Sequence, residues 1–233
     1  MKEAGEKEVG FSLLEKPSLR ALVEQQIRDA IMRGAYLPGE RLVEGTIADQ
    51  LGVSRAPVRE VLSALEKEGL VVSVQRRGSS VVKFSPRDID EIYSLRLLLE
   101  VGAVHRAINR ITDVQIESMQ TMVNVLGTLA KEKPDSPQIV AQDLLFHAAI
   151  CQSADHSRLC QVWTSMRWQT QLLIGLTART HYENPDEPKR FHEAILQAIR
   201  MRDATAAEIM LTEHIKDAQQ RAIRALSLLD SYK

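Results

Sequence analysis

The sequence predicts a mostly α protein: an N-terminal winged helix-turn-helix with a small β-hairpin wing, followed by a C-terminal antiparallel bundle of about six helices. Three observations predict it. Aromatic residues make up only 4% of the chain while Leu, Ala, Ile, Glu and Arg are plentiful, a balance that favours helices over sheets. Apolar residues recur at helical spacing almost throughout. The period shortens to that of strands in one place only, residues 70–84.

Residues 1–17 are polar, lack sustained periodicity and read as a flexible tail. From Ser18, a residue suited to an N-cap, the positions Leu19, Leu22, Val23, Ile27, Ala30 and Ile31 form the stripe of a first helix that ends near Gly34. Pro38-Gly39 marks a turn, and a short second helix runs from about Glu44 to Leu51. In LGVSRAPVREVLSALEKEGLV, residues 51–71, Gly52 can take the positive φ that ends one helix, Ser54 can cap the next, and Pro57 falls in its first turn. Val58, Val61, Leu62 and Leu65 then face inward and leave Arg55 and Arg59 on another side. Residues 70–74 and 80–84 are β-rich and flank Gln75-Arg76-Arg77-Gly78-Ser79, which makes a hairpin with a basic tip.

Ser85-Pro86 closes this unit, so residues 18–84 are expected to form one domain and residues 85–233 a second. Breaks near 111–113, 133–137, 154–157, 181–188 and 202–204 divide the second into about six helices. The N-terminus has no apolar run of signal-peptide length and no stretch approaches a membrane span, which leads us to expect a soluble, cytoplasmic protein. Cys151 and Cys160 match no zinc-knuckle, redox or disulfide spacing and read as ordinary thiols.

A net charge of −1 argues against a nucleic-acid partner until its distribution is examined. Residues 52–83 hold six basic and three acidic side chains, whereas residues 85–233 hold 17 basic and 19 acidic. One basic patch therefore sits on an otherwise neutral molecule. A helix-turn-helix presents the first turn of its second helix to the major groove, where Arg can bond a guanine edge in bidentate fashion. Arg55 and Arg59 share a face at that helix start, Ser54 and the helix amides can bond phosphate, and Arg76 and Arg77 with Gly78 form the wing tip. The competing reading pairs Arg55 and Arg59 with Glu60 or Glu66 as surface salt bridges.

PGERL (residues 38–42), LGVSRAPVRE (51–60) and LEKEGLV (65–71) resemble the GntR family of bacterial transcriptional regulators. The helical remainder resembles the ligand-sensing FCD domain of its FadR branch, and the two resemblances together cover about residues 18–230. They imply that Ser54, Arg55, Arg59 and the tip at Arg76, Arg77 and Gly78 touch double-stranded DNA, and that a homodimer binds a palindromic operator. One departure matters: relatives usually carry an arginine just after the glutamate that opens the second helix, and here that residue is Gly45. Operator preference therefore does not carry over whole.

Asp143 and His147, four apart in DLLFH, point to the same side of a helix. His192 in HEAILQAI and His214 in LTEHI also lie beside apolar residues. Three facing helices can bring one carboxylate and three imidazoles to a common point inside a bundle, a donor set suited to zinc, nickel or manganese. Spacing alone equally fits hydrogen-bonded core histidines. The resemblance implies the metal, because FCD domains of the metal-binding type carry an aspartate, a histidine four residues later and two further histidines in these contexts.

Arg96 falls among Ile92, Leu99 and Ala103 on the first bundle helix. A buried guanidinium needs a partner: either Glu100, one turn away, or the carboxylate of a small organic-acid effector whose other end meets the metal. His105, His156 and His181 lack such company, and Trp163, Met166 and Trp168 read as core or pocket wall on one amphipathic helix. The function expected is a DNA-binding transcriptional regulator controlled by such an effector. The alternative is a metal-dependent enzyme fused to a DNA-binding head, although no acidic residue stands at motif spacing to serve as its general base.

Overall fold

The computed structural model describes residues 18–74, 78–132, 137–178 and 184–231. The tail, Arg76, Arg77 and His181 lie outside them. Ser18 caps α1 (Leu19–Met32), accepting a hydrogen bond from Ala21 N at 3.2 Å, and Val23, Ile27 and Ile31 are its buried stripe. The turn at Gly39 then delivers β1 (Arg41–Leu42). Next come α2 (Glu44–Leu51) and α3 (Arg55–Lys67), joined through Gly52 at φ +66°, a left-handed conformation that glycine adopts without strain. Val58, Val61, Leu62 and Leu65 are the buried face of α3.

The wing differs in detail from the expected hairpin. β2 (Val71–Val74) pairs with β3 (Gly78–Val81), so the second strand starts and ends earlier than the β-rich run suggests. Arg41 and Leu42 pair antiparallel with Ser80 and Ser79, giving a three-stranded sheet in the order β1-β3-β2. Two residues are too few to show an alternating pattern, so β1 leaves no signal in the sequence.

Ser85 and Asp88 form a reciprocal capping box at the start of α4 (Pro86–Ala107). It is followed by α5 (Asp113–Glu132), α6 (Pro137–Ser153), α7 (Ser157–Ser165), α8 (Arg167–Ala178), α9 (Glu187–Arg200) and α10 (Ala204–Ser231). The described residues thus hold seven helices after the wing. The additional break falls at Met166, where neither Gly nor Pro marks it, and it places Trp163 and Trp168 on different helices rather than one. α4 packs on α6 and α10, α5 on α6 and α9, and α10 also on α8 and α9. No helix among the described residues is long and apolar enough to cross a membrane.

Candidate nucleic-acid interface and metal centre

α3 presents Arg55 and Arg59 at its exposed start, one turn apart. Arg59 donates to Glu44 on α2, with Nε 3.1 Å from Oε2 and Nη2 3.0 Å from the same oxygen. Its partner is therefore neither Glu60 nor Glu66. Arg55 has no carboxylate partner among the described residues. Ser54 occupies the N-cap position with extended backbone, but its side chain makes no capping hydrogen bond. The expected role of its hydroxyl as a cap is corrected accordingly, and the hydroxyl is left free for another acceptor or donor. Gly78, at φ +80°, opens β3.

Inside the bundle, Asp143 and His147 from α6, His192 from α9 and His214 from α10 converge. Each offers one ligand atom, these atoms lie within 4.8 Å of one another, and all four residues are buried. Two of the rings are oriented from outside the cluster. His147 Nδ1 lies 2.6 Å from Glu100 Oε2, and His192 Nδ1 lies 2.6 Å from the Pro188 carbonyl. Both partners accept, so each ring donates through Nδ1 and turns its Nε2 inward.

The inward atoms are crowded. His147 Nε2 is 3.1 Å from His214 Nε2, and His192 Nε2 is 3.1 Å from Asp143 Oδ1 yet lacks the alignment of a hydrogen bond. Two nitrogens each about 2.0–2.1 Å from one ion would stand roughly 3–3.4 Å apart. The donor set and its spacing fit a divalent ion. Burial, followed by the nearby His192 and His147, pushes the His214 imidazole well below its ordinary pKa, so it is neutral at pH 7. Burial acts to raise the Asp143 carboxyl, but contact with His192 and the nearness of His147 and His214 outweigh it and hold the group ionised.

Glu100 is the residue that sequence reasoning undervalued. It is fully buried and joins two features that were read separately: Oε1 accepts from Arg96 Nε and from Trp163 Nε1, each at 2.9 Å, while Oε2 takes His147. Burial would raise its carboxyl, and Arg96 and His147 hold it well below the usual range instead. Its signal in the sequence was its place one turn after Arg96 on a buried face. Arg96 meets Glu100 through Nε, but among the described residues neither its Nη2 nor the hydroxyl of buried Tyr93 one turn earlier has a hydrogen-bond partner. His105 pairs with Glu208 at the surface, and His156 caps α7.

Comparison with known proteins agrees with this architecture. Residues 19–81 match the model for bacterial regulatory proteins of the gntR family, and residues 91–217 match that for the FCD domain. The chain is 29% identical over 212 residues to the gluconate operon transcriptional repressor of Bacillus subtilis, covering 89% of this chain and 86% of that one. It is 29% identical over 230 residues to the Uxu operon transcriptional regulator of Escherichia coli, covering 90% and 89% respectively. Among solved structures, Escherichia coli McbR/YncC superposes with a TM-score of 0.69 at 28% identity, covering 94% of this chain and 100% of that one. The chain belongs to the GntR family of DNA-binding transcriptional regulators, with an FCD domain behind its helix-turn-helix, and is not an enzyme.

Proposed function

We propose that this regulator works in the cytoplasm as a homodimer on a palindromic operator, and that a small carboxylate effector bound near a divalent metal controls its affinity. In this reading residues 18–84 are the DNA-binding domain and residues 85–233 the sensing domain. Ser54, Arg55, Arg59 and Gly78 grip DNA, with Arg76 and Arg77 completing the wing tip. Asp143, His147, His192 and His214 hold the ion, for which zinc, nickel and manganese are the candidates. A bound ion would supply an electrophilic anchor for an oxygen of the effector. Arg96 would meet the effector's carboxylate.

The observation that carries this reading is the junction of cage and guanidinium: four buried donors within 4.8 Å of one another, tied through Glu100 to an arginine whose buried Nη2 has no hydrogen-bond partner among the described residues. An unpaired buried donor costs free energy that an anionic ligand would recover. Pairing of two chains is supported by α4, where Leu98 is 75% exposed and Leu95 38% exposed on one face with Gly102, whose outer side is open.

The test joins elemental analysis of untagged protein with an anisotropy titration on its own promoter region. Stoichiometric metal, lost in His147→Ala and His214→Ala with DNA binding retained, is the expected result. Protein that neither contains metal nor takes it up on reconstitution reduces the four residues to a polar core network.

A further inference from the structure

Gly45, in the first turn of α2, has no backbone reason to be glycine. It is not among the glycines with positive φ, and glycine inside a helix weakens it relative to alanine. What the missing side chain provides is room. A Cβ at Gly45 would stand 3.2 Å from Arg55 Nη2 and 3.4 Å from its Cζ and Nε, so the Arg55 guanidinium rests against the bare backbone of α2. Arg55 has no ion pair among the described residues, whereas Arg59 is held by Glu44, the residue just before Gly45. Consecutive residues of α2 thus seat both arginines of α3, one by charge and the other by leaving space.

We propose that Gly45 is a specificity-determining residue: the space it leaves fixes the position from which Arg55 reaches a base edge in the major groove. The inference rests on the reading of α3 as the helix that enters DNA. A side chain at position 45 takes up space against which the Arg55 guanidinium rests. A methyl group requires a shift of a few tenths of an ångström, and a second guanidinium both fills the space and repels the first. The ligand feature at stake is a guanine edge, whose O6 and N7 accept a bidentate arginine. Glu44 leaves Arg59 tethered, so the change falls on one base pair of a half-site rather than on all contacts.

The experiment is selection from a randomised duplex library with the full-length wild type, Gly45→Ala, Gly45→Arg and Arg55→Ala, followed by anisotropy on the duplex the wild type enriches. Arg55→Ala loses preference at one base pair of the half-site. Both Gly45 variants change preference at that same base pair, and Gly45→Arg binds the wild-type duplex about five- to 100-fold more weakly. Alanine favours a helix, so Gly45→Ala folds and carries the test even if Gly45→Arg does not. Enrichment of the unchanged wild-type motif by the folded Gly45 variants overturns this inference alone. A wild-type chain that enriches no motif overturns the DNA reading of α3 and this inference with it.

Discussion

Glu100 accepts hydrogen bonds from Arg96, Trp163 and His147 at a fully buried position. Removing one member of a buried ion pair strands the other, so Glu100→Gln is expected to cost about 3–5 kcal/mol in urea unfolding. Adding Arg96→Met should recover a good part of that, and a single-variant loss below about 1 kcal/mol would show that Arg96 finds another counter-charge. The same variant frees the His147 ring and should weaken zinc binding about 10- to 100-fold in a chelator competition. His214 sets the pH response. Burial first, then His192 and His147, lower its folded pKa, so the unfolded chain binds more protons below about pH 6.5. Stability from this group is complete above that pH and is lost as pH falls toward the folded value, on the order of 1 kcal/mol per pH unit in metal-free protein. Urea melts from pH 8 to 5 should show that slope, and His214→Gln should flatten it.

At the scale of elements, the link between α2 and α3 depends on Gly52, at φ +66° with open space where a Cβ would stand. Gly52→Ala therefore meets backbone strain alone and should lower stability by about 1–2 kcal/mol in thermal unfolding. A neutral result would mean that the turn relaxes elsewhere. For the helix it introduces, Arg55→Ala should cost about 1–3 kcal/mol on the preferred duplex and much less on random DNA. Equal losses on both would place Arg55 on phosphate instead. These elements were legible in the sequence because their causes are local: the stripe of α3 has helical period, Gly52 and Ser54 punctuate it, and Asp143 and His147 are neighbours on one helix turn. What escaped has distant causes or none in composition. β1 exists only through its pairing with Ser79 and Ser80, and the break at Met166 has no Gly or Pro to announce it. Glu100 acquires its importance from His147, 47 residues away, and Trp163, 63 away. The convergence of His192 and His214 on Asp143 is likewise a tertiary fact, which family resemblance suggested and spacing alone did not.

Across the whole molecule, head and bundle share one apolar core that runs from Val23 on α1 to Leu226 on α10. The seam is α8. Its Trp168 ring lies 4.2 Å beneath the Arg28 guanidinium, which also pairs with Glu24 and Glu68, and its Gln169 side chain covers Gly69 so closely that a Cβ there would clash at 2.0 Å. On its other sides α8 packs against α4, α6 and α10, the helices that carry Arg96, Asp143 with His147, and His214. An ion that stabilises the cage should therefore slow opening of the head as well. Zinc at about 100 times its Kd adds roughly 2.7 kcal/mol to a cooperative unit. In hydrogen exchange, the amides of α3 should gain protection on zinc addition along with those of α6 and α10, although none of α3 touches the metal. Trp168→Ala removes the ring under Arg28 while leaving both of its glutamates. It should keep the zinc-dependent protection of α6 and α10 and lose that of α3. Wild-type α3 amides that ignore zinc while α6 responds would mean that head and bundle open independently, and that α8 does not carry the signal between them.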